Sequence, residues 1–422
     1  MTRKEKAVLE EYSAAAEQFA AFGVDAGGAL EILEGIALSL PCWQLDDVRG
    51  FEGRRGEPGG GLEVTGNRPG LPRNPGEFRA DLERALTLVP GRHRVNLHAM
   101  YGEFGGKADR DGIEPGHFLG WVEWARSFGA GLDFNATCFA HPRAENGFTL
   151  ASPDGDTRDF WVEHVRRARE VAAWIGGELG EPCLHNLWIP DGTKDLTVRR
   201  FFYRELLRES LDRVYEKRFD PLVLKDSVES KLFGIGTEAF TAGSHEFYLL
   251  YAQEKGIFPC LDTGHFHPTE SVADKIPSLL VFFPEILLHV SRGLRWDSDH
   301  VVILDDSVRE LAAETVRAGV LERVHFALDF FDAGLNRVGA LVLGARALQK
   351  AVLIALLEPV ERMRSAEESG DRFELLGTWE EWKDLPFGPI WRCFCLRMGV
   401  PWGSDLVEEL RRYEKEVLLS RG

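Results

Sequence analysis

The sequence predicts an α/β fold, a (β/α)8 barrel, and three observations carry that reading. Eight short apolar runs recur along 422 residues. Amphipathic helical patterns separate most of them. Several runs close on a carboxylate or a histidine. Strands that alternate with amphipathic helices pair in parallel, and eight such units suggest closure into a barrel with its chemistry at the strand ends. An open, doubly wound sheet fits the same alternation and stays the alternative.

A helix over Lys4–Phe22 comes first. The strand-like runs are Ile36–Leu40, Arg94–His98, Gly131–Asn135, Pro182–Ile189, Leu222–Glu229, Phe258–Asp262, Ile286–Val290 and Val324–Asp329. Helical periodicity covers Gly76–Leu88, Gly116–Phe128, Asp159–Gly176, Thr197–Lys217, His245–Lys255, Thr269–Phe283 and Val308–Ala318. From Arg337 to Gly422 the chain is mainly helical and rich in Leu, Glu and Arg. That is too long for one barrel helix, and its apolar face must be buried somewhere. The expectation is one barrel domain over 1–422, with 337–422 a largely helical extension that covers the barrel or a neighbouring subunit. The Gly-rich stretch Arg49–Gly70 is a long loop after the first strand, where barrels carry function. No Lys-Ser/Thr follows it, which argues against a phosphate cradle.

A net charge of −18 and a pI near 5.2 disfavour nucleic acid and anionic membranes as partners, since neither attracts a polyanion. The six cysteines, Cys42, Cys138, Cys183, Cys260, Cys393 and Cys395, are scattered without C-x-x-C. They read as reduced, buried thiols of a cytoplasmic protein. The N-terminal Met-Thr-Arg-Lys-Glu-Lys lacks an apolar h-region, so no signal peptide is expected. No apolar run approaches the ~18 residues that span a bilayer.

The chemistry concentrates between residues 225 and 332. Glu229 and Lys231 flank Ser230 at the end of the fifth strand. Asp262 and His265 leave the sixth at i and i+3, with Gly264 permitting the turn between them. His267 precedes the expected helix from Thr269 and reads as a capping residue or as a support behind the metal ligands. His289 closes Ile286-Leu287-Leu288, and Asp329 follows His325-Phe326-Ala327-Leu328. Asp297 and Asp299 sit at i and i+2, and on extended backbone both face one side. Like charges so close repel unless a cation compensates. Hard cations take carboxylate oxygens and imidazole adds a borderline nitrogen, so the set reads as a two-metal site. Each residue alone has a plainer role: ion pair, helix cap, core histidine or solvated turn. Trp43, His98 and Trp188 also close strands, where aromatic faces pack on sugars.

With those residues in view, the chain resembles the L-rhamnose isomerase family over nearly its whole length. The matching stretches include Cys42-Trp43-Gln44, Asn96-Leu97-His98-Ala99, Trp188-Ile189-Pro190-Asp191-Gly192, Glu229–Gly236 and Gly264–Glu270. The resemblance implies a barrel with a C-terminal helical extension, a cytoplasmic homotetramer, and interconversion of the aldose L-rhamnose and the ketose L-rhamnulose. It implies two divalent metals, Mn2+ with Co2+ or Zn2+ as substitutes. Glu229, Asp262, His289 and Asp329 would hold one metal, and His265, Asp297 and Asp299 the other. Lys231, Asp297, Asp329 and His265 would act in catalysis, with Lys231 facing O1. His98, Trp188, Lys231 and Trp43 would line the sugar site. A related two-metal barrel epimerase, an endonuclease and a non-catalytic sugar-binding protein are the other classes. The net charge argues against the nuclease.

Overall fold

Each of the eight apolar runs forms a strand: β1 (Ala37–Pro41), β2 (Arg92–His98), β3 (Gly131–Asn135), β4 (Cys183–Leu187), β5 (Leu224–Glu229), β6 (Phe258–Asp262), β7 (Ile286–Val290) and β8 (Val324–Leu328). They pair in parallel in chain order, and β8 returns to β1, so the barrel is closed. β3, β4 and β7 are buried along their whole length. That is the pattern of parallel strands covered by helices outside and side-chain layers inside. The computed structural model describes residues 1–52, 64, 66–106, 108–234, 236–294 and 300–421.

The helices are α1 (Arg3–Ala21), α2 (Ala26–Gly35), α3 (Pro75–Leu86), α4 (Leu119–Phe128), α5 (Gly155–Leu179), α6 (Arg200–Val214), α7 (His245–Lys255), α8 (Lys275–Leu280), α9 (Asp306–Arg317) and α10 (Arg337–Leu356), followed by α11 (Val360–Ser369), α12 (Arg372–Trp382), α13 (Phe387–Arg397) and α14 (Ser404–Glu416). α5 shows how sequence sets an element. Asp154 caps it by accepting from Thr157 N at 2.8 Å. Gly180 ends it with φ 72°. Gly176 lets it lie against the chain entering β5, since a Cβ there would stand 1.9 Å from Val223 O.

Against the expectation of no membrane-length apolar run, α10 is long and apolar enough to cross a bilayer by length and composition, but 83% of that window is buried. It packs on α9, α3, α2 and β1, which makes it the barrel's own last helix. The stretch beginning at Arg337 therefore divides into this core helix and the outer helices α11–α14.

Three features differ from expectation. The helix over Thr269–Phe283 shrinks to α8. Pro277 has no N–H and its ring clashes with the carbonyl four residues back, so it fits only a first turn. α2 joins α1 to β1 through a Gly-containing segment with weak periodicity. Gly192–Thr193 and Phe240–Thr241 form a small antiparallel ribbon beside the barrel mouth.

Candidate metal centre at the barrel mouth

The strands deliver the donors. Glu229 ends β5, Asp262 ends β6, His289 is next to last in β7, and Asp329 directly follows β8. Asp262 pairs in register with His289, and His289 with Ala327, two residues before Asp329. Residues two apart share a strand face, so these side chains converge. One ligand atom from each of Glu229, Asp262, His289 and Asp329 lies within 4.8 Å of the others. His289 Nδ1 stands 2.9 Å from Glu229 Oε2, 3.2 Å from Asp329 Oδ2 and 4.0 Å from Asp262 Oδ2. His265 Nδ1 stands 3.0 Å from Glu229 Oε1 and 3.1 Å from Ser230 O.

Neighbours fix the outer atoms of this set. Asn186 Nδ2 donates to Glu229 Oε2, while Ser227 Oγ donates to Asn186 Oδ1 at 2.8 Å and orients that amide. Gly264 N donates to Asp262 Oδ1 at 2.6 Å, and Trp43 Nε1 to Asp329 Oδ1 at 3.1 Å. The inner atoms are left over. Among the described residues, Asp262 Oδ2 and both ring nitrogens of His289 make no hydrogen bond, although partners stand close. Buried polar atoms are rarely left so. Polar atoms that crowd together without aligning donor to acceptor surround a common centre, which suits a cation.

The electrostatics agree. Burial opposes charge on Asp262, and Glu229 and Asp329 add repulsion, so its pKa rises to about 7 despite the pull of His265. Burial opposes charge on Glu229 too, yet His289 and His265 outweigh it and hold its carboxyl well below the usual range. Burial works against an imidazolium at His289, and Cys260 and Glu229 reverse that, so its pKa lies well above the ordinary value. Three carboxylates thus share too little positive charge. The residues present fit a divalent cation.

An aromatic wall faces the donors across a narrow cleft. His98 meets Trp43 edge to face at 4.8 Å and Phe139 at 5.3 Å. Burial holds the His98 pKa down to about 3, so its ring is neutral at physiological pH. Trp188 stacks with His265 at 6.2 Å, and Lys231 Nζ lies 4.8 Å over the Trp188 ring. Val48 lines the same cleft. It and Asp47 hold left-handed backbone, φ 59° and 57°, which is strained for a β-branched residue. The buried Arg337 guanidinium binds Asp47, and Tyr101 OH donates to Asp46 at 2.6 Å.

The structure thus brings together Glu229, Asp262, His265, His289, Asp329, Trp43, His98 and Trp188, with Lys231 against Trp188. Lys231 gets there differently from expectation. β5 stops at Glu229, and Lys231 is held by its N–H to Gly243 O at 3.1 Å and its carbonyl to Thr241 Oγ1 at 2.9 Å. His267 caps a turn, accepting from Thr269 N at 3.3 Å, because no helix starts there. Asp297 and Asp299 lie outside the described residues. Sequence reasoning passed over Asn186, Val48, Phe139 and Cys260. Asn186 carried a usable signal, since it too stands near a strand end.

A family model described as L-rhamnose isomerase (RhaA) matches residues 6–421. The chain belongs to the L-rhamnose isomerase family. The L-rhamnose isomerase of Bacteroides thetaiotaomicron is 49% identical over 420 residues, covering 99% of this chain and 100% of that one. The L-rhamnose isomerase of Salmonella gallinarum is 51% identical over 407 residues, covering 96% and 97%. Similar solved structures include an L-ribulose 3-epimerase, with TM-score 0.46, 11% identity, and 79% of this chain and 98% of that one covered. A D-allulose 3-epimerase from Methylomonas sp. aligns with TM-score 0.45 and 11% identity over 76% and 96%. In this L-rhamnose isomerase family member the four-residue donor set opens at the C-terminal mouth of the barrel, where barrel enzymes place their chemistry.

Proposed function

We propose that this protein interconverts L-rhamnose and L-rhamnulose, moving hydrogen between C2 and C1 and a proton between O2 and O1. The observation that carries the reading is the donor set of Glu229, Asp262, His289 and Asp329, three buried and Asp329 half-buried, at the barrel mouth of a chain in this family. These four would hold one divalent cation, and His265, with Asp297 and Asp299, a second. Such cations supply Lewis-acid polarisation of sugar oxygens. Mn2+ is the proposed ion, because an oxygen-rich set with imidazole suits it.

The protein's own groups do the rest. Lys231, steadied over Trp188, presents an ammonium to O1 and stabilises charge that develops there. His98, neutral by burial, hydrogen-bonds a sugar hydroxyl without adding charge. Trp43 and Trp188 cover the sugar's apolar face and exclude water. Asp297 or Asp299 orients the water that carries the O2 proton. If the hydrogen moves as a proton through an enediol, Asp329 is the base; a direct hydride shift needs none.

We also propose a cytoplasmic homotetramer. Support comes from α12, where Phe373 is 86% exposed and Leu376 57%.

Purified protein given L-rhamnose should form L-rhamnulose. Exhaustive chelation should abolish turnover, and Mn2+ or Co2+ should restore it. Full turnover in rigorously metal-free protein, or clear preference for another sugar across an aldose panel, would overturn the reading.

A further inference from the structure

Cys260 lies one layer beneath the donor set. It sits two residues before Asp262 on β6 and so faces the barrel interior on the same side. Leu184, Cys260, Leu287 and Ala327 form a small apolar cluster there. Each stands two residues before a residue of the mouth: Asn186, Asp262, His289 and Asp329. Cys260 is the one member of that layer with a metal-binding atom. Its register partner is Glu229, and its Sγ lies 3.6 Å from Glu229 Oε2. Ligand atoms of Glu229, Cys260 and His289 all lie within 4.8 Å of one another, and all three residues are buried. His289 is 2% exposed, and neither ring nitrogen makes a hydrogen bond among the described residues. A cation that displaces the ring proton could therefore take this imidazole into either group.

We propose that Glu229, Cys260 and His289 form an alternative cation site for thiophilic divalent ions such as Cd2+ and Zn2+, overlapping the oxygen-rich site above it. The two sites share Glu229 and His289, so they exclude each other. One is a hard set of three carboxylates and an imidazole. The other is a softer set of one carboxylate, one imidazole and one thiolate, and ligand softness selects between ions of equal charge. When Cys260 ligates, its S–H bond breaks, a sulfur–metal bond forms, and the proton leaves to solvent; no electrons transfer. A soft ion drawn to the sulfur sits deeper in the barrel, away from Asp262 and Asp329, and displaces the working cation. The other five cysteines join no such group among the described residues, so a thiolate signal reports Cys260. The inference rests on Glu229 and His289 being metal ligands, as the proposed function holds, and not on the sugar chemistry.

The test is a Cd2+ titration of the metal-stripped full-length protein. Wild type should develop the ultraviolet thiolate-to-cadmium charge-transfer band at one ion per chain, and Cd2+ should displace bound Mn2+ as the band grows. Cys260→Ser should lose the band and at least about tenfold in Cd2+ affinity, while retaining Mn2+ binding. A 113Cd resonance of the wild type adds a readout that needs no variant, because a sulfur ligand shifts it far downfield of an all-oxygen-and-nitrogen site. A band that persists in folded Cys260→Ser overturns the proposal. So does Cd2+ binding in wild type with no band and no downfield shift. Loss of Mn2+ binding by wild type itself would instead sink the metal reading on which both sites depend.

Discussion

Lys231 is a single residue whose observed contact and proposed role can be separated. Its Nζ lies over Trp188, which is compatible with a purely structural cation–π contact. A preorganised donor at O1 is commonly worth ~10²–10³ in kcat. Lys231→Met should therefore keep fold and metal content but lose at least about tenfold in kcat, roughly 1.4 kcal/mol of barrier. Near-wild-type kcat in folded, metal-loaded Lys231→Met would leave it a packing residue. Asp46 gives a second test. Burial raises its pKa to about 7. The folded state then holds a proton that the unfolded state releases near pH 4. Stability is greatest below that, falls as pH rises towards 7, and levels off above, an effect on the order of 4 kcal/mol. Asp46→Asn can accept from Gly50 N and donate to Tyr101, so it should flatten the curve and be the more stable protein at pH 8. Denaturant midpoints at pH 5 and pH 8 read this directly, and an unchanged slope would show Asp46 ionised in the fold. The donors at strand ends were legible in sequence because a lone carboxylate closing an apolar run costs too much without a partner. Asp46, Asp47 and Arg337 were not, since 290 residues separate Asp47 from Arg337 and no local pattern links them.

At the scale of elements, the contact between α5 and β5 depends on an absent side chain. A Cβ at Gly176 would meet Val223 O at 1.9 Å and Cys183 N at 3.0 Å. Both are backbone atoms, which cannot swing aside. Gly176→Ala should therefore push α5 off the strands and cost at least ~2 kcal/mol, read as a Tm several degrees lower. A variant of wild-type Tm would mean that the helix shifts freely. The displaced strand carries Glu229, so metal affinity should fall with stability. The barrel strands could be read from sequence because each holds a short apolar stretch with a distinct end, even in β2 and β5, whose first halves are partly exposed and charged. Helix limits were harder. α8 is cut short by Pro277, a steric effect that periodicity does not register. α2 contains Gly27 and Gly28 and draws its stability from packing under α1 and against α10. The ribbon of Gly192–Thr193 and Phe240–Thr241 is too short to alternate. Yet its second strand receives the carbonyl of Lys231, so an element missed in the sequence sets a residue found there.

For the whole molecule, the proposed metal and the proposed assembly would be the two stabilising terms outside the chain's own core. A cation at a hundredfold excess over its Kd adds ~2.7 kcal/mol to the folded state. Chelated protein should therefore melt earlier, and Mn2+ should restore the Tm; identical melting with and without ion would argue against a site at the barrel mouth. Assembly can be argued from α12. Phe373, Leu376 and Trp379 recur at intervals of three, which gathers them towards one side of the helix. Phe373 and Leu376 are far more exposed than side chains of that size usually are, and burying each fully is worth ~1.5–3 kcal/mol. α12 packs inward on α11, so a second chain could take the outward stripe without disturbing the barrel. A surface carrying a net charge of −18 brings copies together only where apolar area outweighs repulsion. Adding carboxylates inside that stripe therefore acts twice, removing apolar area and adding like charge. Phe373→Glu with Leu376→Glu should keep the far-ultraviolet dichroism of the fold. Light scattering at micromolar concentration should show the mass fall from about four times the 47.4 kDa chain to a smaller species. An intact tetramer in the double variant would move the interface off α12, and a wild-type monomer would refute the assembly altogether.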